Sequence, residues 1–126
     1  MISLQNVTVR FNDQAVLDDV TLEVKQGEFA FLVGQTGSGK TTLLRLIYLD
    51  LFPSRGLVTV NDYRSDTVAL KEIPFLRRSM GMVFQDFKLL EDRNVFENVA
   101  FALHVTGVKR SEIKKRVLRI LADVGL

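Results

Sequence analysis

Residues 34–41 read Gly-Gln-Thr-Gly-Ser-Gly-Lys-Thr, which meets the pattern G-x-x-x-x-G-K-[S/T] at every fixed position. No other stretch constrains the chain so tightly. Backbone N–H groups surround an anion only where no Cβ intrudes, which accounts for Gly34, Gly37 and Gly39. An apolar run, residues 29–33, precedes the loop and a leucine-rich segment follows it, so the glycines join a strand to a helix. The free N–H groups and positive end of that helix face the same anion. Lys40 supplies a compact cation for the β- and γ-phosphates of a nucleotide. Thr41 offers a hydroxyl to Mg²⁺, and Thr42 reaches an inner phosphate. Gln35, Thr36 and Ser38 complete the loop that would hold these phosphates.

The order of hydropathy patterns around the loop predicts an α/β fold with an antiparallel β portion at the N-terminus. Ile2, Leu4, Val7 and Val9 lie among polar residues, as in a half-buried strand, and Val20, Leu22 and Val24 repeat the pattern after a turn at residues 12–14. At residues 29–33 alternation stops, which suits a strand covered on both faces of a parallel sheet. Leucines on nearly every side of residues 40–51 predict a buried helix. A short strand is expected at residues 57–60, a helix disturbed by Pro74 over 71–79, and a second buried strand at 81–84. Asn94 with Glu97 forms a capping pattern before one helix, and Ser111 opens the last. The expected portions are 1–26 (antiparallel β), 27–85 (phosphate-loop core) and 86–126 (start of a helical subdomain).

Composition excludes several classes. The 126 residues suit one domain, and 47% hydrophobic with 25% charged residues is the balance of a globular chain. No cysteine is present, which removes disulfides, zinc-thiolate sites and cysteine nucleophiles. Seventeen basic against fifteen acidic residues leave a net charge of +2, too small to imply a nucleic-acid partner. The longest apolar runs have five residues, whereas a membrane span needs about 20; a membrane would be reached through a partner. His104, the sole histidine, reads as structural or solvated. Lys109, Arg110, Lys114, Lys115, Arg116 and Arg119 form a basic helix face that reads as solvated, with contact to anionic lipid as the alternative.

Three features resemble the nucleotide-binding domain of ATP-binding-cassette (ABC) proteins: the opening strands with Phe11 ahead of the phosphate loop, Gly27-Glu28 before the loop's strand, and Val83-Phe84-Gln85-Asp86. Within the family, Gln85-Asp86-Phe87-Lys88-Leu89-Leu90, residues 95–103 and Leu46-Ile47-Tyr48 look most like the cell-division ATPases, with lipoprotein-release and macrolide-export ATPases sharing much of this region. The resemblance implies that Phe11 stacks on adenine, where the family more often has Tyr, and that Val16 packs beside the base. The other reading of Phe11 is a core aromatic at a strand end. Gln85 would approach Mg²⁺ and the attacking water and sense a membrane partner, so Lys40 and Gln85 are the catalytic candidates and Thr41 and Gln85 the metal candidates. Residues 86–101 would receive that partner through Phe87, Leu89, Leu90, Val95 and Phe96, unless these are core under a loop.

The resemblance covers the first half of a cassette. No Leu-Ser-Gly-Gly-Gln-like signature and no apolar run ending in Asp-Glu occurs, so the carboxylates that hold Mg²⁺ and activate water in the family are expected beyond residue 126, together with its catalytic His. The strand at 29–33 is then expected to expose an apolar edge prone to association. A non-hydrolysing binding module and a small-molecule kinase are the competing readings. The segment around Gln85 argues against the kinase.

Overall fold

The first two strands meet at a turn that only left-handed backbone can make. In the computed structural model, which describes residues 1–126, Asn12 and Asp13 have φ of 45° and 63°, as a two-residue hairpin turn matched to strand twist requires. Strands β1 (Ile2–Phe11) and β2 (Gln14–Val24) pair antiparallel on either side of it. β1 also pairs with β3 (Arg55–Val60), and β3 with the short β4 (Tyr63–Arg64), giving the order β2-β1-β3-β4. The antiparallel sheet therefore draws two strands from the segment beyond the phosphate loop as well as the two at the N-terminus.

Strict alternation would place Leu4 and Val7 on opposite faces, yet both are fully buried. The register shifts between them, with Asn6 at φ 48° and, across the pair, Asp19 at φ 50°. An inserted residue returns Val7 and Val9 to the core face. Side chains hold the irregularity: Asn6 donates to Asp19 at 3.0 Å, and the backbone N–H groups of Asn6 and Asp19 donate to the hydroxyls of Thr21 and Thr8. Gly56 is obligatory beside it, because at φ 88° a Cβ there would lie 2.3 Å from the Asn6 carbonyl oxygen.

The chain separates into two units, Met1–Met80 and Gly81–Leu126. The first contains the sheet, helix α1 (Lys40–Ile47) and helix α2 (Ile73–Arg78). Leu43, Leu46, Leu49, Ile73 and Leu76 join Leu4, Val7, Val9 and Val58 in one core. α1 is shorter and less enclosed than the leucine pattern implies. It ends at Ile47, Leu49 turns left-handed at φ 51°, and Leu44 is 52% exposed. Pro74 lies in the first turn of α2 and starts that helix rather than disturbing it. Arg77 fastens the two helices: it donates to the carbonyls of Tyr48 and Leu49 at 3.0 Å each, while Asp50 takes Arg45 at 2.8 Å and Arg77 at 3.7 Å. The carbonyls at the end of α1 thus accept from a cation, as suits the negative end of a helix.

The second unit pairs α3 (Val95–Val105) with α4 (Arg110–Asp123) around Ala100, Ile113 and Val117. The capping pattern forms in full: Asn94 accepts from the Glu97 N–H at 2.9 Å and Glu97 accepts from the Asn94 N–H at 3.0 Å. His104 is exposed in the last turn of α3.

The two buried strands expected at residues 29–33 and 81–84 are absent. Phe29, Phe31 and Val33 are 84%, 82% and 88% exposed, and Val83 is 96% exposed. A strand exists only against a neighbour, and the antiparallel sheet offers residues 29–33 none. Their only intimate aromatic contact is internal, Phe29 edge-on to Phe31 at 4.9 Å.

Two outcomes follow. Arg77→Ala should lower the unfolding free energy by about 1 kcal/mol in urea melts, since it removes two hydrogen bonds between α2 and the end of α1. Sedimentation should show concentration-dependent association that Phe31→Lys reduces, because an exposed, unpaired apolar segment templates pairing between copies; a monomer at all concentrations would contradict this.

Candidate phosphate-loop site

The phosphate loop is positioned from its C-terminal side. Gly39 caps α1 in the left-handed conformation (φ 88°) and is buried. A Cβ on it would stand 2.8 Å from the Leu17 side chain and 3.0 Å from the Val16 carbonyl oxygen. Glycine therefore lets the start of α1 press directly on β2. This contact places Val16, half-buried, at the loop, while Phe11 lies at the end of the hairpin opposite Gln14, 43% exposed with its ring accessible.

The loop closes on itself ahead of that contact. The Ser38 N–H donates to the Gln35 carbonyl at 3.2 Å, and the Gly39 carbonyl accepts the first bond of α1 from Leu43 at 2.9 Å. Gly37 takes φ 82° at the turn, and a Cβ on Gly34 would meet the Ser38 hydroxyl oxygen at 2.6 Å. Lys40 folds back across the loop, and its Nζ donates to the carbonyls of Gly34 and Gln35, each at 2.7 Å. The ammonium is thus held within the loop's own curve.

Three N–H groups at the start of α1, those of Lys40, Thr41 and Thr42, have no acceptor. With no acidic residue in the first turn of α1, the dipole end stays positive. Thr41 is exposed beside them. Glycine-gated curvature, three free donors and a captive cation fit a nucleotide phosphate. For Mg²⁺ the loop itself offers a hydroxyl, Thr41. No group of three or more His, Cys, Asp or Glu side chains occurs elsewhere in the chain.

Gln85 belongs to the second unit. It sits exposed in a turn closed by a bond from the Phe87 N–H to the Phe84 carbonyl at 3.2 Å. Phe87 and Lys88 are both left-handed, at φ 54° and 50°, and the side chain of Phe87 is pushed out to 74% exposure. The Lys88 ammonium, hydrogen-bonded to Asp86 at 2.6 Å, holds that carboxyl below its usual value.

Beside this turn, Leu89, Leu90, Glu91, Arg93, Val95, Asn98 and Val99 line an open pocket of about 500 Å³. Of the apolar residues expected on the surface, Phe87, Leu89 and Val95 are exposed and Leu90 and Phe96 half-buried. Sequence reasoning missed Asn98, the residue that shapes the pocket. Its amide donates to the carbonyls of Leu90, Arg93 and Asn94 and accepts from the Leu90 N–H. Its place one turn after the Asn94 cap was the available signal.

Comparison with known proteins places this geometry. The family model for the ABC transporter matches residues 17–126. The cell division ATP-binding protein FtsE of Bacillus subtilis is 45% identical over the whole chain, and that of Mycobacterium tuberculosis 41%. The methionine import ATP-binding protein MetN of Clostridioides difficile is 42% identical. The chain spans 56% of each FtsE protein and 39% of MetN. Among solved structures, a dimeric ATP-binding cassette in a post-hydrolysis state with ADP and Pi superposes with a TM-score of 0.83 at 32% identity, covering 97% of this chain and 56% of that one. The match begins within β2 and takes in the phosphate loop, Gln85 and both helices of the second unit: the chain belongs to the ABC transporter family.

Proposed function

We propose that the chain is the MgATP-binding portion of an FtsE-like ATPase, which couples nucleotide binding and hydrolysis to an FtsX-like integral membrane partner in bacterial cell division. The observation that carries this reading is the self-contained phosphate loop, with its free N–H groups and the Lys40 ammonium, in a chain 45% identical throughout to an FtsE protein.

Each residue has a task. The N–H groups of Lys40, Thr41 and Thr42, with the curvature at Gly34, Gly37 and Gly39, bind and orient the phosphates. Lys40 leaves two carbonyls of its own loop to meet the β- and γ-phosphates, exchanging neutral acceptors for an anion. Phe11 gives adenine an exposed π-face, and Val16 packs beside it. Thr41 would offer its hydroxyl oxygen to Mg²⁺, which would neutralise phosphate charge when bound. Gln85 acts on the metal and the attacking water only in the whole protein, where two such subunits close head-to-tail. The pocket shaped by Asn98, within residues 86–101, takes an apolar segment of the membrane partner, so the protein works on the cytoplasmic face of the membrane.

The relatives also support a second reading, an importer ATPase of the MetN type at 42% identity; lipoprotein-release and macrolide-export ATPases, and a non-hydrolysing module, share the same loop. The cell-division reading is preferred because identity to the Bacillus subtilis FtsE, 45%, exceeds that to MetN, 42%.

Titration with a fluorescent ATP analogue tests the site. Lys40→Ala should weaken binding by about 10- to 100-fold, the worth of a charge-assisted hydrogen bond, with helical content unchanged; equal affinity would overturn the assignment. The chain alone should show little turnover, and hydrolysis at the rate of a complete cassette would contradict the division of labour proposed for residues 1–126.

A further inference from the structure

On α4 the charges are sorted by face. The helix carries Arg110, Lys114, Lys115, Arg116 and Arg119 against Glu112 and Asp123. Successive side chains turn by roughly 100°, so Ile113, Val117 and Leu121 form the stripe that packs in the core. Glu112, Arg116 and Asp123 fall along one seam, where the acids are engaged: Glu112 with Arg116 at 2.7 Å and Asp123 with Arg119 at 4.0 Å. The remaining face carries Lys114, Lys115, Leu118 and Arg119, all exposed, and no acid. Leu118, 51% exposed, stands at its centre.

We infer that this face of α4 lies against an anionic phospholipid surface. A leucine flanked by cations offers a headgroup layer an apolar and an ionic contact together. The apolar side chain enters the acyl boundary, the lysine stems extend along it, and the ammonium groups meet lipid phosphates. Lys114 and Lys115 are free of ion pairs, so no salt bridge must break first. A nucleic acid would be matched by the cations but not by the leucine. The contact is with lipid itself. It does not depend on the protein partner proposed for residues 86–101, and either can fail without the other.

Co-sedimentation of the 126-residue chain with phosphatidylcholine vesicles, with and without phosphatidylglycerol, tests the inference. Binding should require phosphatidylglycerol and weaken as salt rises. Lys114→Gln with Lys115→Gln should lower the partition coefficient by about tenfold or more, each lysine near an anionic surface contributing severalfold. Leu118→Ser should lower it as well. Lys25→Gln with Lys71→Gln, the same charge change at exposed positions in the first unit, should leave it unchanged. Equal binding to pure phosphatidylcholine, equal loss in both lysine pairs, or tighter binding to duplex DNA than to the anionic vesicles would overturn the inference.

Discussion

The approach of Gly39 to β2 governs the rest of the first unit. A left-handed residue with no room for a Cβ joins the phosphate loop to Val16 and Leu17, and from there to the antiparallel sheet. The loop's other flank, residues 29–33, has no strand to belong to. The loop is therefore held from its helix side: by Gly39 on the sheet, by the core around Leu43 and Leu46, and by Lys40 drawing together the carbonyls of Gly34 and Gln35. The binding geometry is built on the half of the loop that carries the donors.

That arrangement separates recognition of phosphate from the chemistry performed on it. Binding needs N–H groups, curvature and a cation, all within residues 34–42. In the proposed function hydrolysis also calls on carboxylates and a second subunit, and no group of three or more His, Cys, Asp or Glu that could hold a metal ion occurs in these 126 residues. In the proposed function the second unit carries the parts suited to communication with the membrane partner. Gln85 rides on a turn with two consecutive left-handed residues, and an apolar pocket beside it is shaped by one asparagine's four hydrogen bonds.

What was legible in the sequence is what neighbours along the chain decide. The phosphate loop, the hairpin turn at Asn12-Asp13, the Asn94–Glu97 capping box and the final helix all follow from residues within four positions of one another. What escaped is what distant partners decide. The run at 29–33 has the composition of a buried strand, but a strand is a property of a pair, and no partner for it lies within these residues. The skip from Leu4 to Val7 hid a bulge that only the register of β2 reveals. Arg77 gave no sign of its role, because its partners are carbonyls 28 and 29 residues away. Leu44 illustrates the same limit, since an apolar residue on a helix announces a wish for burial and not its fulfilment.

The dependence on Gly39 can be measured directly against Gly37. Both are left-handed, at φ 88° and 82°, but a Cβ at Gly37 would meet nothing within 4 Å. Alanine at either site carries the same backbone strain, so the difference reports packing alone. In urea unfolding without nucleotide, Gly39→Ala should destabilise the first unit by at least about 1 kcal/mol more than Gly37→Ala. Equal destabilisation by the two would contradict the claim that the phosphate loop is anchored by its seat on β2.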